Sequence, residues 1–329
     1  MLEVLLKPCP DLKLTEKELV FRHTGLIRSL ESTLVNDTRG PGALHSSDVG
    51  GLTIANTTVL SARKIMAYAS GINDLNSAYF DDTTKYGLSV HPAIAFSLQW
   101  NSRFTPDRLP NHRAAPFGVH AATDLSIYQP FAQDEAITIQ GQMIKRHLIR
   151  PGVYTVDRYK MTNGTGTLVA ELDYISITRG ASLEGENQSI AEEKPRPRNP
   201  PLPATPVWEE SVDIPLNAGQ QYTECANIYN PIHTEKSVAI KAGLADIILH
   251  GSATKAIALS KIINHCFDAD PRRITRLCGE LRAMVLMNTS IRVQCLSTED
   301  KGGDRIIHFK VLNQNGDLAI ANGMVMGRI

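Results

Sequence analysis

Apolar residues along the chain follow two periods, of helix and of strand, and these alternate in blocks. Alternating apolar and polar positions between residues 118 and 178 predict four strands. Turn signals separate them at Pro130, Pro151-Gly152 and Asn163-Gly164. Upstream, a strand pattern over 52–58 and a helix capped by Ser61 precede an apolar helix over 93–100. This order predicts an α+β layer in which one curled sheet wraps a long helix.

The second half of the chain repeats this order. A strand pattern over 207–214 is followed by helix patterns over 219–229 and from Gly251 to about residue 267. Further strands are predicted from Cys278, Ser290, Asp304 and Asp317 onward. We therefore infer an internal repeat. The predicted parts are an N-terminal arm or helix (1–50), a first unit (51–180), a proline-rich linker (181–206) and a second unit (207–329).

Composition narrows the class of protein. The chain has 329 residues, 42% of them hydrophobic, and 34 Lys plus Arg balance 34 Asp plus Glu. A balanced charge gives no electrostatic reason to expect nucleic acid or a membrane as partner. The five cysteines lack the spacing of a zinc site, so no metal or cofactor is expected. Without a signal-peptide or membrane-helix pattern, the expected location is cytoplasmic.

The candidate catalytic residues lie between residues 222 and 261. In Asn230-Pro231-Ile232-His233, the proline fixes the turn and restricts the direction in which His233 leaves it. His250-Gly251 opens the long helix, and Gly251 lets a ligand approach the free N–H groups of the first turn. A base beside an anion site is the minimum for enol or enolate chemistry.

These residues resemble the MaoC-like, (R)-specific enoyl hydratase branch of the hotdog fold. In that family the turn reads Gly-Asp-x-Asn-Pro-x-His, and Asp and His together activate water. The resemblance implies that His233 is the catalytic histidine, Asn230 the turn asparagine and Gly251 the oxyanion-hole donor. The catalytic Asp position is occupied by Ile228, so the second acid/base group of the family is absent there.

The resemblance extends to the first half, and the whole chain is interpreted as a double hotdog. Asp74-Leu75-Asn76 preserves an Asp-x-Asn, but Tyr79 replaces the histidine and Pro92 replaces the glycine. Because proline cannot donate an N–H, we expect this half to be degenerate. Hotdog units pair edge to edge, here within one chain; the oligomer, if there is one, is expected to be a homodimer.

The pocket is expected in the second half of the chain. It is expected to bind a small-molecule substrate such as an acyl thioester or an apolar carbonyl compound. Besides catalytic His233 and Gly251, its predicted substrate-binding residues are Asn230, Thr254, Tyr229, His250, Phe96 and Trp100. The predicted function is a lyase-type dehydration or isomerisation with His233 as base, in lipid or natural-product metabolism. Two alternatives stay open: a cyclase or Diels-Alderase-like enzyme for a large apolar intermediate, and a non-catalytic acyl-binding module.

Overall fold

The computed structural model describes residues 40–103, 114, 117–197 and 205–329. The elements of the first half are β1 Ala43–His45, β2 Asn56–Val59, α1 Ala62–Gly71, α2 Ile94–Arg103, β3 Gly118–Ile127, β4 Ala136–Ile149, β5 Gly152–Asn163 and β6 Leu168–Arg179. Two short strands follow, β7 Ser182–Glu184 and β8 Gln188–Ser189. The second half contains β9 Trp208–Ile214, α3 Ala218–Ala226, α4 Lys236–Lys241, α5 Gly251–Cys266, β10 Ile274–Leu281, β11 Thr289–Lys301, β12 Asp304–Leu312 and β13 Leu318–Arg328.

One antiparallel sheet runs through both halves in the order β2-β4-β5-β6-β3-β10-β13-β12-β11-β9, with β8 beside β4. Read inward from its two ends, the order is the same in each half. The halves join where β3 pairs with β10, in a register that places Leu125 opposite Leu277. The predicted α+β double hotdog and its internal repeat are confirmed.

Both long helices lie against the sheet and share one hydrophobic core. Leu125 and Leu277 at the seam are fully buried, and one cluster of buried side chains includes residues of both halves. The apolar run of α5, with Ala256, Leu259 and Ile263 buried, is long because this helix is covered on nearly all sides. The two units therefore depend on each other for their cores.

Helices α1 and α3, one from each unit, pack against each other. The hydroxyls of Tyr68 and Tyr222, 154 residues apart, approach to 3.4 Å, and Tyr68 also donates to the Ala93 carbonyl at 2.6 Å. Beside them Gly71 touches Cys225, because a Cβ added to Gly71 would lie 2.7 Å from the Cys225 Cβ. Gly71 is therefore needed for the close approach of the two helices.

Some element boundaries differ from the sequence-based expectations. The helix predicted over 219–229 ends at Ala226, because Asn227 adopts a left-handed backbone with φ of 53°. Tyr222 is fully buried on α3, whereas Tyr229 lies beyond the helix and is 41% exposed. The strand predicted from Cys278 begins at Ile274.

The segments outside the two units are only partly described. Residues 1–39 of the predicted N-terminal arm lie outside the described residues. The remainder of the arm forms β1, which pairs in parallel with β7 of the segment predicted as a linker. That segment also contacts the sheet through Lys194, which donates to Ser126 at 2.8 Å and pairs with Glu171. Its first part is thus attached to the first unit.

The described part of the chain lacks two kinds of feature. It contains no helix long and apolar enough to cross a membrane. Nor does it contain a group of three or more His, Cys, Asp or Glu side chains placed to hold a metal ion.

The contact between Gly71 and Cys225 predicts a compensating pair of substitutions. Gly71→Ala should destabilise the protein by about 1–3 kcal/mol, because its Cβ overlaps the Cys225 Cβ. Adding Cys225→Gly should recover most of the lost free energy of unfolding, less the ~1 kcal/mol cost of glycine within a helix. Chemical denaturation of the single and double variants measures both values.

The matched control is Gly71→Ala with Cys225→Ala, which keeps the overlapping Cβ and should not recover stability. Equal recovery by Ala and Gly at position 225 would contradict the packing described here.

Candidate active site

The turn after α3 places His233 at the end of a short 3-10 helix. Asn227 ends α3, and the Asn230 side chain accepts from the Ile232 N–H at 3.4 Å at the start of the helix Pro231–His233. The His233 N–H donates to the Asn230 carbonyl at 3.0 Å. Asparagine and proline in these positions fix the turn locally, as their sequence predicts.

The hydrogen bond of His233 determines its tautomer. Nδ1 lies 2.8 Å from the Ile248 carbonyl, which can only accept, so the ring proton is on Nδ1. Ile248 is itself held by a bridge to Leu286. Nε2 therefore carries a lone pair; it has no hydrogen-bond partner in the described part of the chain, and His233 is half-buried. Burial lowers the pKa of His233 to about 4, against a smaller opposite effect of the Ile248 carbonyl, so the imidazole is neutral at pH 7.

His250 forms the inner wall of this site. Its ring stacks on that of His233, with centroids 3.7 Å apart, and its side chain is 3% exposed. Nε2 donates to the Ile228 carbonyl at 3.2 Å and lies 3.3 Å from the Thr223 hydroxyl, which leaves Nδ1 buried without a partner. Burial, and then the proximity of His233, lowers its pKa well below the ordinary value. His250 thus packs against His233 as a neutral ring.

Helix α5 begins beside this pair with its N–H groups uncapped. His250 occupies the N-cap position but its side chain makes no capping hydrogen bond, and the first intrahelical bond is from the Thr254 N–H to the His250 carbonyl. The N–H groups of the first turn therefore have no acceptor within the helix, and the dipole favours negative charge there. Leu281 covers Gly251, because an added Cβ would lie 2.3 Å from its Cδ1. A ligand would displace this side-chain end and not backbone.

The other predicted substrate-binding residues of the second half differ in burial and in hydrogen bonding. Asn230 belongs to the turn itself and is half-buried. Thr254 is buried and its hydroxyl donates back to the His250 carbonyl at 3.2 Å, so its proton is engaged within its own helix. The exposed Tyr229 hydroxyl donates to Glu235 on the surface. These contacts leave His233 and the α5 N-terminus as the groups suited to chemistry.

Phe96 and Trp100 lie on α2, which reaches the second unit. Phe96 is buried in the shared core and Trp100 is half-buried against it. On the same helix, the Ser97 hydroxyl donates to the Ala226 carbonyl at 2.5 Å, and Asn101 accepts from Asn227 at 3.1 Å. The first unit therefore braces the end of α3 and the turn that carries His233.

The corresponding turn of the first half has the same backbone and different side chains. Asn73, like Asn227, has φ of 53°, and the helix Ser77–Tyr79 matches Pro231–His233. Ile228 is 4% exposed and apolar, whereas its counterpart Asp74 is buried with Oδ1 accepting from the Asn76 N–H at 3.0 Å. Tyr79 stands in the place of His233 and is fully buried. The carboxylate and the imidazole are thus on different copies of the turn.

Gly219 was not identified from the sequence. A Cβ there would lie 2.2 Å from the His233 carbonyl oxygen, so α3 can pack on the His233 turn only with glycine at this position. A glycine in the first turn of a helix pattern is too common a signal to reveal such a contact.

Comparisons with known proteins find similar sequences and similar folds. A family model described as a MaoC like domain matches residues 205–316. The second unit is a MaoC-like domain. A MaoC-like dehydratase from Phytophthora capsici superposes with a TM-score of 0.73 at 18% identity, covering 84% of this chain and 95% of that one. Full-length peroxisomal multifunctional enzyme type 2 from Drosophila melanogaster gives 0.69 at 15% identity, covering 97% and 58%.

Two further relatives bear on the arrangement of the MaoC-like domain. A Mycobacterium tuberculosis protein described as a double hotdog superposes with a TM-score of 0.58 at 11% identity, covering 85% of this chain and 96% of that one. The fatty acid synthase beta subunit hexB of Dothistroma septosporum is 28% identical over 130 residues, 38% of this chain and 7% of that subunit. The chain thus spans a small part of its curated relative, and the structural likenesses establish the fold.

The contact of Gly219 predicts how the MaoC-like domain depends on it. Gly219→Ala should destabilise the protein by about 1–3 kcal/mol and move the His233 turn, because backbone cannot yield as a flexible side chain does. Denaturation measures the first effect, and the imidazole resonances of His233 in NMR report the second.

Gly164→Ala is the matched control, since an added Cβ there meets nothing within 4 Å. Equal stability and an unshifted His233 resonance in both variants would show that α3 does not constrain the turn.

Proposed function

We propose that this chain catalyses dehydration or isomerisation of a β-oxygenated carbonyl or thioester substrate, with Nε2 of His233 as the base. The observation that carries the proposal is the bond from Nδ1 to the Ile248 carbonyl, which leaves the proton-accepting lone pair on Nε2. The family match to a MaoC-like domain and the relation to a fatty acid synthase subunit support an acyl substrate in lipid or natural-product metabolism.

The proposed reaction needs one base and one oxyanion site. Nε2 takes the proton from the carbon next to the carbonyl, and the developing enolate oxygen accepts from the N–H groups at the start of α5. The protonated His233 then returns this proton to the departing β-hydroxyl, which leaves as water. Isomerisation uses the same proton transfer and returns the proton to carbon. Each cycle ends with His233 neutral, as it began.

A cyclase of the kind considered above is a second candidate, favoured by Ile228. A buried isoleucine in the position that the resemblance assigns to the catalytic carboxylate removes a polar partner of an attacking water. A pocket without that carboxylate suits a large apolar substrate held by shape and by hydrogen bonds to its carbonyl.

Substitution of His233 distinguishes these reactions. For proton transfer, His233→Ala and His233→Gln should both lower turnover on the order of 10² to 10⁴-fold. For a cyclase, His233→Gln should keep a substantial fraction. Mass spectrometry with 3-hydroxyacyl and enoyl thioesters, and with free polyene or terpenoid carbonyl compounds, measures turnover; His45→Ala, at a surface strand, is the control.

The pH profile is part of the same test. The wild-type rate should stay level from pH 7 to about pH 5 and fall as pH drops through the pKa of His233, about 4, because protonation occupies the lone pair. Unchanged turnover in His233→Ala on the true substrate would end the proposal and favour a non-catalytic acyl-binding module.

Ile228 predicts weak hydration of short enoyl thioesters such as crotonyl-CoA. Ile228→Asp should raise this activity on the order of 10²-fold, because it supplies a second acid/base group. The turn can hold a carboxylate at this place, since Asp74 does so in the equivalent backbone. The loss of enoyl absorbance measures the rate of hydration.

Ile228→Val, which stays apolar, is the control and should leave the rate low. Rapid hydration by the wild type, or equal rates in the Asp and Val variants, would refute the assignment of position 228.

A further inference from the structure

A hydroxyl of the first unit caps the helix that leads to His233. Ser97 lies on α2 and is buried, and its Oγ donates to the Ala226 carbonyl at 2.5 Å. Ala226 is the last residue of α3, so its carbonyl lies beyond the reach of the N–H groups of that helix. The acceptor at the end of α3 is therefore satisfied by a side chain of the other unit.

A second contact from α2 holds the residue that follows. Asn227 has a left-handed backbone with φ of 53°, and its side-chain amide donates to the Asn101 Oδ1 at 3.1 Å. The Asn101 amide donates to the Ser97 carbonyl at 2.9 Å, one turn back along α2. A residue other than glycine keeps a left-handed backbone only where its surroundings hold it. The two contacts from α2 supply such support at this turn.

The segment held in this way is bonded to the histidine pair. Ile228 follows Asn227, and its carbonyl accepts from Nε2 of His250 at 3.2 Å. The His250 ring stacks on that of His233, with centroids 3.7 Å apart. A displacement of residues 226–228 would therefore move the acceptor of His250 and, through the stacked ring, the imidazole of His233.

The two halves of the chain differ in this support. Counted from Pro92 and Gly251, which correspond in the repeat, the position of Ser97 is occupied by Ala256 in the second unit. Alanine has no hydroxyl, so α5 cannot cap the end of α1 in the same way. Of the two equivalent turns, the one that carries the imidazole is thus the one capped by the long helix of the other unit.

We infer that Ser97 is a positioning residue of the candidate site. The first unit has no histidine in its own turn, and it supplies instead a hydroxyl that fixes the segment beside the histidines of the second unit. The effect on catalysis rests on the proposed function, whereas the effect on the position of the His233 ring does not. The degenerate half is then a working part of the site.

The kinetic test compares two buried serines of α2. Ser97→Ala should lower kcat on a 3-hydroxyacyl thioester about 10 to 100-fold and leave KM within about twofold, because a small misplacement of the base slows the reaction while the substrate contacts remain. Ser102→Ala is the matched control. Ser102 is also buried, but its hydroxyl donates to the Leu98 carbonyl within its own helix at 3.1 Å, so kcat should be unchanged.

The imidazole resonances of His233 and His250 in NMR give a measurement that needs no substrate. They should shift in Ser97→Ala and stay as in the wild type in Ser102→Ala. Asn101 is exposed, so Asn101→Ala removes the second contact without creating a buried defect. It should shift the same resonances by a smaller amount, and it decides the question if Ser97→Ala does not fold.

The two measurements separate failure of this inference from failure of the proposed function. If no thioester reacts while the resonances shift in Ser97→Ala but not in Ser102→Ala, the proposed function fails and the positioning role stands. Turnover by the wild type with an unchanged kcat in Ser97→Ala would overturn the inference. Equal resonance shifts in the two serine variants, or wild-type resonances in Asn101→Ala and in any Ser97→Ala that folds, would overturn it as well.

Discussion

The hydrogen-bonded pairing of β3 with β10 is the constraint on which the rest of the molecule depends. It joins the two curled sheets edge to edge and leaves their long helices in one shared core. It also brings Thr123 of the first unit against Lys255 of the second, and places Arg276 beside Asp124. The candidate site therefore belongs to both halves, although its base and its helix N-terminus come from the second.

Within that frame, one short hydrogen bond determines what His233 can do. A carbonyl partner at Nδ1 fixes the tautomer without adding a negative charge, and burial then keeps the ring neutral. An aspartate partner would have raised the pKa of His233, since an opposite charge favours the protonated form. Burial, and then the stacked His233, lowers the pKa of His250 as well, so both rings are neutral at pH 7.

The sequence predicts the features that depend on neighbouring residues. It does not predict the contacts between distant segments. The period-2 runs, Ser61 as N-cap and the Asn230-Pro231 turn are determined by neighbouring residues, and the structure has them. The sequence predicts an end for α3 that is too far along the chain. The helix ends at the left-handed Asn227, and a single asparagine does not by itself indicate a helix end. The partner of His233 is a backbone carbonyl 15 residues away, and no side-chain pattern encodes it. Lys255 did interrupt an apolar helix, and its burial needed the fold to be seen.

The apolar Ile228 and the low pKa of His233 together limit which reactions the proposed site could catalyse. In the proposed function, the apolar side chain of Ile228, which is 4% exposed, takes the place of a second acid/base group and helps to exclude water. A base with a pKa near 4 is weak, and proton transfer to it is efficient only from a carbon that is already acidic. Hydrogen bonds from the start of α5 to the carbonyl would acidify that carbon, so in the proposed mechanism the base and the helix N-terminus would act together. The chemistry proposed here thus depends less on the strength of the base than on how well the enolate is stabilised.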